Sequence, residues 1–153
     1  MFFLRYYKNK KMILQHCLNY TLHWTGLSSS DKFTLMFTRC LNRYMDINHD
    51  VIAAQDASDP DYQVFIYRML SAVSFDMLTS KAFSYRHDLK IVHKNSLDSL
   101  LNPGYISQHE YDEEMTQLHT LLEERLSQDE RDYIQHKRSF EKKLIGVNNE
   151  DNL

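Results

Sequence analysis

The side chains best suited to chemistry are eight histidines, two cysteines and a run of carboxylates. Zinc needs three or four nitrogen or sulfur ligands brought together, and its sites carry recognisable spacings. His16 and His23 stand seven residues apart on roughly one helical face, but no HExxH and no histidine pair at i, i+4 is present. Cys17 and Cys40 form neither a CxxC pair nor a disulfide framework, and both fall on faces expected to be buried. Two His-Asp dipeptides, His49-Asp50 and His87-Asp88, place a nitrogen beside a hard oxygen. None of these groups assembles a catalytic, cofactor or metal site by spacing alone.

Other stretches match parts of known patterns. The His-Asp dipeptide resembles the metal-binding pair of the all-helical HD phosphohydrolases, although neither copy follows the apolar run seen in those enzymes. The stretch "GYISQHEY" resembles the second half of an EF-hand calcium loop, with Gly104, Ile106, Ser107 and Glu110 at positions 6, 8, 9 and 12. Positions 1, 3 and 5 would be Ser99, Leu101 and Pro103, which offer no carboxylate. Conversely, Asp46, Asn48 and Asp50 have first-half spacing, but Val51 replaces the glycine and Ala57 the glutamate. Residues 97–122 also resemble the short C-terminal (SHOCT-like) helical hairpin, through Leu97, Leu100, Gly104, Ile106, Ser107, Glu110 and Tyr111. That resemblance covers about a sixth of the chain and implies a small packing or oligomerising element without catalytic residues. On its own chemistry the Asn102-Pro103-Gly104 turn only redirects a helix.

The elements that position these groups follow from apolar spacing. The chain has 153 residues, 42% hydrophobic and 12% aromatic, enough for a core without metals or disulfides. Three glycines and two prolines exclude phosphate-cradling glycine loops and count against a many-stranded sandwich. A first helix is expected over residues 12–24, with Ile13, Cys17, Tyr20 and Trp24 on one face. A second, after the Ser28 to Ser30 capping oxygens, carries Phe33, Met36, Phe37, Cys40, Leu41 and Tyr44. An acidic connector follows, with a short helical turn at Val51 to Gln55.

Asp59-Pro60 opens a helix expected to run to about Tyr85, apolar nearly all round and therefore central. "RHDLKIVHKN" reads as a loop or short extended piece before Ser96 caps a short helix through Leu101. Beyond the turn, Ser107 with Glu110 and Ser127 with Glu130 have capping-box spacing. Tyr111, Met115, Leu118, Leu122, Tyr133, Lys137, Phe140 and Leu144 fall within about a 100° arc of one unbroken helix. One long helix and a hairpin both accommodate residues 107–145. Gly146 is a C-cap candidate. The expected fold is all-α: a single-domain bundle of about five or six helices, with a central apolar helix and a long or hairpin C-terminal segment. Residues 1–11 form an arm, 12–146 the helical domain and 147–153 a flexible tail.

Charge is segregated. Arg5, Lys8, Lys10 and Lys11 give residues 1–11 a net charge of +4, with Phe2, Phe3, Tyr6 and Tyr7 interleaved. Residues 46–61 carry five aspartates and no base, and Glu110 to Asp132 has a net −7. No apolar run approaches membrane-spanning length, and the start lacks the apolar region of a signal peptide, which suggests a cytoplasmic protein. These features favour a non-enzymatic helical protein-interaction module: an adaptor, an inhibitor, an immunity-type protein or a small subunit of a larger assembly. Its expected partner-binding residues are Tyr111, Glu113, Glu114, Met115, Leu118, Leu122, Glu123 and Glu124, an apolar face with acidic flanks that suits a basic protein or a second copy. The alternatives are an HD-type metal hydrolase and a nucleic-acid-associated protein using the basic arm.

Overall fold

The structure, a computed structural model, describes residues 2–80 and 84–145. Among these residues there are six helices and no strand, which makes the fold all-α. The helices are α1 (Phe2–Thr25), α2 (Lys32–Ile47), α3 (His49–Ala53), α4 (Asp61–Thr79), α5 (Arg86–Leu101) and α6 (Gln108–Ile145). Contacts cluster into two units, Met1–Glu114 and Met115–Leu153, with the boundary inside α6.

In the first unit, α1 packs against α2, α3, α4 and α5, while α4 packs against α1, α2 and most extensively α5. The helix expected from residue 12 in fact begins at Phe2 and runs unbroken through the supposed arm. Its buried stripe explains this: Tyr6, Asn9, Ile13, Cys17 and Thr21 recur every three or four residues. The two polar members find partners. Thr21 Oγ1 donates to the Cys17 carbonyl at 2.8 Å, and Asn9 is described below. At the far end, Gly26 adopts φ +71 and its N–H reaches the Leu22 carbonyl at 2.9 Å, closing the helix with a left-handed residue.

Helix α2 buries Phe33, Phe37, Leu41 and Met45. Ahead of it, Asp31 Oδ2 accepts from the Ser28 N–H at 2.6 Å and the Ser28 hydroxyl at 2.9 Å, so the serine cluster folds the approach rather than capping the helix. The helical turn expected at 51–55 is α3, one residue pair earlier.

Helix α4 starts as its sequence suggests, with Asp59 Oδ1 accepting from the Asp61 N–H at 2.9 Å. Along it only Asp61, Arg68 and Asp76 are exposed, and Tyr62, Ile66, Met69, Leu70, Val73 and Leu78 are buried. It is the central apolar helix, sharing that role with α1. It ends at Thr79 rather than near Tyr85, with the Ser80 N–H bonded to the Met77 carbonyl at 3.3 Å. The segment read as a loop, from Arg86, is helix α5. Leu89, Val92, His93, Ser96, Leu97 and Leu100 form its buried stripe. Tyr85 precedes it with φ 62.

Helix α6 is continuous over 38 residues, which decides between the long helix and the hairpin. Gly146 and the tail at 147–153 lie outside the described residues. No described helix is long and apolar enough to cross a membrane.

Candidate interaction surface

The turn between α5 and α6 is built from local bonds. Gly104 takes φ +86, and the Tyr105 and Ile106 N–H groups return to the Leu100 carbonyl at 2.9 and 3.2 Å. Ile106 is buried beneath the turn. The capping box expected at Ser107 is formed: the Glu110 N–H donates to Ser107 Oγ at 3.1 Å, and Glu110 Oε1 accepts from the Ser107 N–H at 3.3 Å. The glutamate that would complete a calcium loop thus serves as a helix cap.

The first turn of α6 is then tied to α5. Tyr111 Oη donates to Asp98 Oδ1 at 2.7 Å, and Lys94 Nζ meets Asp98 Oδ2 at 2.8 Å. Partial burial and this carboxylate together raise the Tyr111 phenol, and the same carboxylate raises the Lys94 ammonium. Glu113 and Glu114 are exposed, with Glu113 Oε1 2.9 Å from His109 Nε2.

In the second unit Met115 is half-buried, while Leu118 and Leu122 are only 2% and 5% exposed. Glu123 and Glu124 face solvent. The eight residues expected to bind a partner therefore divide by type: four carboxylates outside, and an apolar set largely withdrawn from water. Farther along, every described side chain from Gln128 to Leu144 is exposed. Tyr133 (65%), Ile134 (41%), Phe140 (56%) and Leu144 (71%) stand among Lys137, Arg138, Lys142 and Lys143.

The two oppositely charged segments of the first unit meet. Asp46 Oδ1 accepts from Lys10 Nζ at 2.8 Å and from the Tyr6 hydroxyl. Lys10, and after it Tyr6, hold the Asp46 carboxyl below the usual carboxylate range. Burial and the same carboxylate push the Tyr6 phenol up to about 12. Asn9 Nδ2 lies 3.0 Å from the Ile52 carbonyl, 3.3 Å from that of Ala53 and 2.8 Å from that of Gln55. One side-chain amide thereby satisfies the orphan carbonyls at the end of α3. Its sequence signal was a polar residue at a buried-stripe position between Tyr6 and Ile13.

The histidines are dispersed. His16 and His23 line one hollow of about 450 Å³ with Asn19, Tyr20 and Gln63, and His16 Nδ1 sits 2.7 Å from Tyr62 Oη. His49 lies against Tyr6 with ring centroids 4.0 Å apart, and His87 is exposed in the first turn of α5. A second hollow, about 310 Å³, includes Cys40, Arg43, Tyr44, Asp76 and Met77. Cys17 is fully buried and Cys40 half-buried, both as free thiols. Among the described residues, no three of His, Cys, Asp and Glu are grouped to hold a metal ion.

In comparisons with protein-family models, curated proteins and solved structures, none matches this chain.

Proposed function

We propose that this chain is a non-enzymatic helical protein-interaction module, working in the cytoplasm as an adaptor, inhibitor, immunity-type protein or small subunit of a larger assembly. The observation that carries this reading is the exposed half of α6, where Tyr133, Phe140 and Leu144 share one edge with Lys137. An isolated helix of this length, about 25 Å, is marginal in water, and helices gain most of their stability from packing an apolar stripe. A partner helix or groove supplies that packing. The exposed carboxylates Glu113, Glu114, Glu123 and Glu124 favour a basic partner and speed its approach, and a second copy of the chain is the other occupant this stripe suits.

Affinity capture from the native source, with mass spectrometry, tests the reading when run on the wild type beside Tyr133→Asp with Phe140→Asp. Light scattering of the purified proteins reports self-association. The paired substitution should abolish capture or dimerisation while leaving the thermal midpoint nearly unchanged, because both residues are exposed. Leu118→Asp with Leu122→Asp should instead destabilise the protein, since it buries two carboxylates. Equal capture by the wild type and the Tyr133→Asp/Phe140→Asp protein would overturn the assignment of this surface.

A further inference from the structure

The outer face of the first turns of α1 is a second surface, independent of α6. At 100° per residue, Phe3, Tyr7 and Leu4 occupy about 100° of the helix circumference. Lys11 falls within that arc and Lys8 about 40° beyond it, while Arg5 lies about 100° beyond, on the side of buried Asn9. Tyr6, Asn9 and Ile13 point the opposite way, into the fold. The exposures are high for apolar groups: Phe3 64%, Leu4 69% and Tyr7 57%. Arg5, Lys8 and Lys11 are exposed as well.

Asp46 is engaged by Lys10 and Tyr6 at the edge turned toward the bundle, and Arg5 is near enough to Asp56 to help lower its carboxyl, so Lys8 and Lys11 are the cations this face presents outward. Phe3 is held in place by Tyr7 at 5.4 Å and His49 at 6.5 Å between ring centroids. The result is a preformed helical face with Phe3, Leu4 and Tyr7 in its first turns, Lys11 one turn farther along the same arc and Lys8 at its edge.

We infer that this face docks the protein peripherally on an anionic lipid bilayer. Lys8 and Lys11 meet lipid phosphates and carboxylates, while Phe3 and Leu4 enter the acyl boundary and Tyr7 sits at headgroup level. Single-stranded nucleic acid also attracts cations and stacks on rings, but the most exposed member here is the aliphatic Leu4, which offers a base no stacking and offers hydrocarbon a full contact. An acidic peptide would lie in a groove, whereas both hollows described above are lined by other residues. Two cations and two inserting side chains make attachment reversible and sensitive to salt.

The test is co-sedimentation of the full chain with vesicles of phosphatidylcholine alone or containing about a third phosphatidylserine, with single-stranded polyuridylate as competitor. The wild type should partition onto the anionic vesicles and be released at high salt. Lys8→Glu with Lys11→Glu should weaken partitioning at least about twentyfold, at roughly fivefold for each cation removed. Phe3→Ser with Leu4→Ser should weaken it as well, with the circular dichroism spectrum unchanged in both proteins. Three results would overturn the inference: no dependence on phosphatidylserine, loss with the lysine changes but not the apolar ones, or polyuridylate binding as tight as vesicle binding at equal salt. None of these substitutions touches α6, so partner capture through that helix succeeds or fails separately.

Discussion

Tyr111 and Asp98 join α6 to α5 by a 2.7 Å hydrogen bond from the phenol to one carboxylate oxygen, while Lys94 holds the other at 2.8 Å. The two partners stand thirteen positions apart with the whole Gly104 turn between them, so one carboxylate fixes how the chain leaves it. Tyr111→Phe should cost about 1 kcal/mol in urea unfolding, below the roughly 1.5–3 kcal/mol of a buried bond to a charged group because the site is only half-buried. Lys94→Ala should cost a few tenths, as exposed i, i+4 pairs do. A Tyr111→Phe midpoint identical to the wild type would show that water replaces the bond without loss.

Helix α4 gives a packing prediction. Ile66 and Val73 are 1% and 3% exposed. Truncation should cost about 2–4 kcal/mol for Ile66→Ala and somewhat less for Val73→Ala, the difference reflecting the volume of the cavity left behind. Losses below about half a kcal/mol at both positions would contradict a central role for this helix.

Alkaline pH should unfold the protein through its buried phenols. Burial raises Tyr6, Tyr20 and Tyr62 from an ordinary value of 10.0 to about 12 each, with Asp46 adding to Tyr6 and Tyr67 to Tyr20. The fold thus favours the neutral form. Their contribution is fully present below pH 10 and is lost as pH rises through about 12. Phenolate absorbance of the folded protein should show a late-titrating fraction that merges with the rest in denaturant. A single transition shared by all ten tyrosines would refute this.

Gly104 separates conformational cost from steric cost. Nothing lies within 4 Å of a Cβ added there, yet its φ is +86. Gly104→Ala should therefore destabilise by about 1–2 kcal/mol through backbone strain alone. Gly104→Asn should cost less, because asparagine tolerates this region. Thermal melts of the pair decide it, and equal losses would point to a lost local bond instead.

The class of fold was legible because apolar spacing is a local property. Helix α5 was not, because His93 and Ser96 occupy its buried stripe and break the apolar signal, and α5 is packed against both α4 and α1. Asn9 hid the start of α1 in the same way. The end of α4 was also missed, since apolar residues continue in the sequence beyond Thr79 while the helix stops. For the candidate surface, spacing identified one face of α6 but could not say where it is covered. Leu118 and Leu122 share their periodicity with Phe140 and Leu144, and burial separates them. Periodicity reports which side chains point the same way, whereas exposure depends on what else arrives there.

The tie between Asn9 and Gln55 spans 46 residues. During synthesis the first turns of α1 emerge long before the carbonyls that Asn9 caps exist. At about 5–20 residues per second, this leaves a wait on the order of several seconds. For that interval Tyr6 and Ile13 stand uncovered as well as Phe3 and Leu4, so apolar groups are exposed on both sides of the nascent helix. The four cations among residues 5–11 give that uncovered segment one sign of charge, which opposes its pairing with the same segment of another copy until α3 arrives.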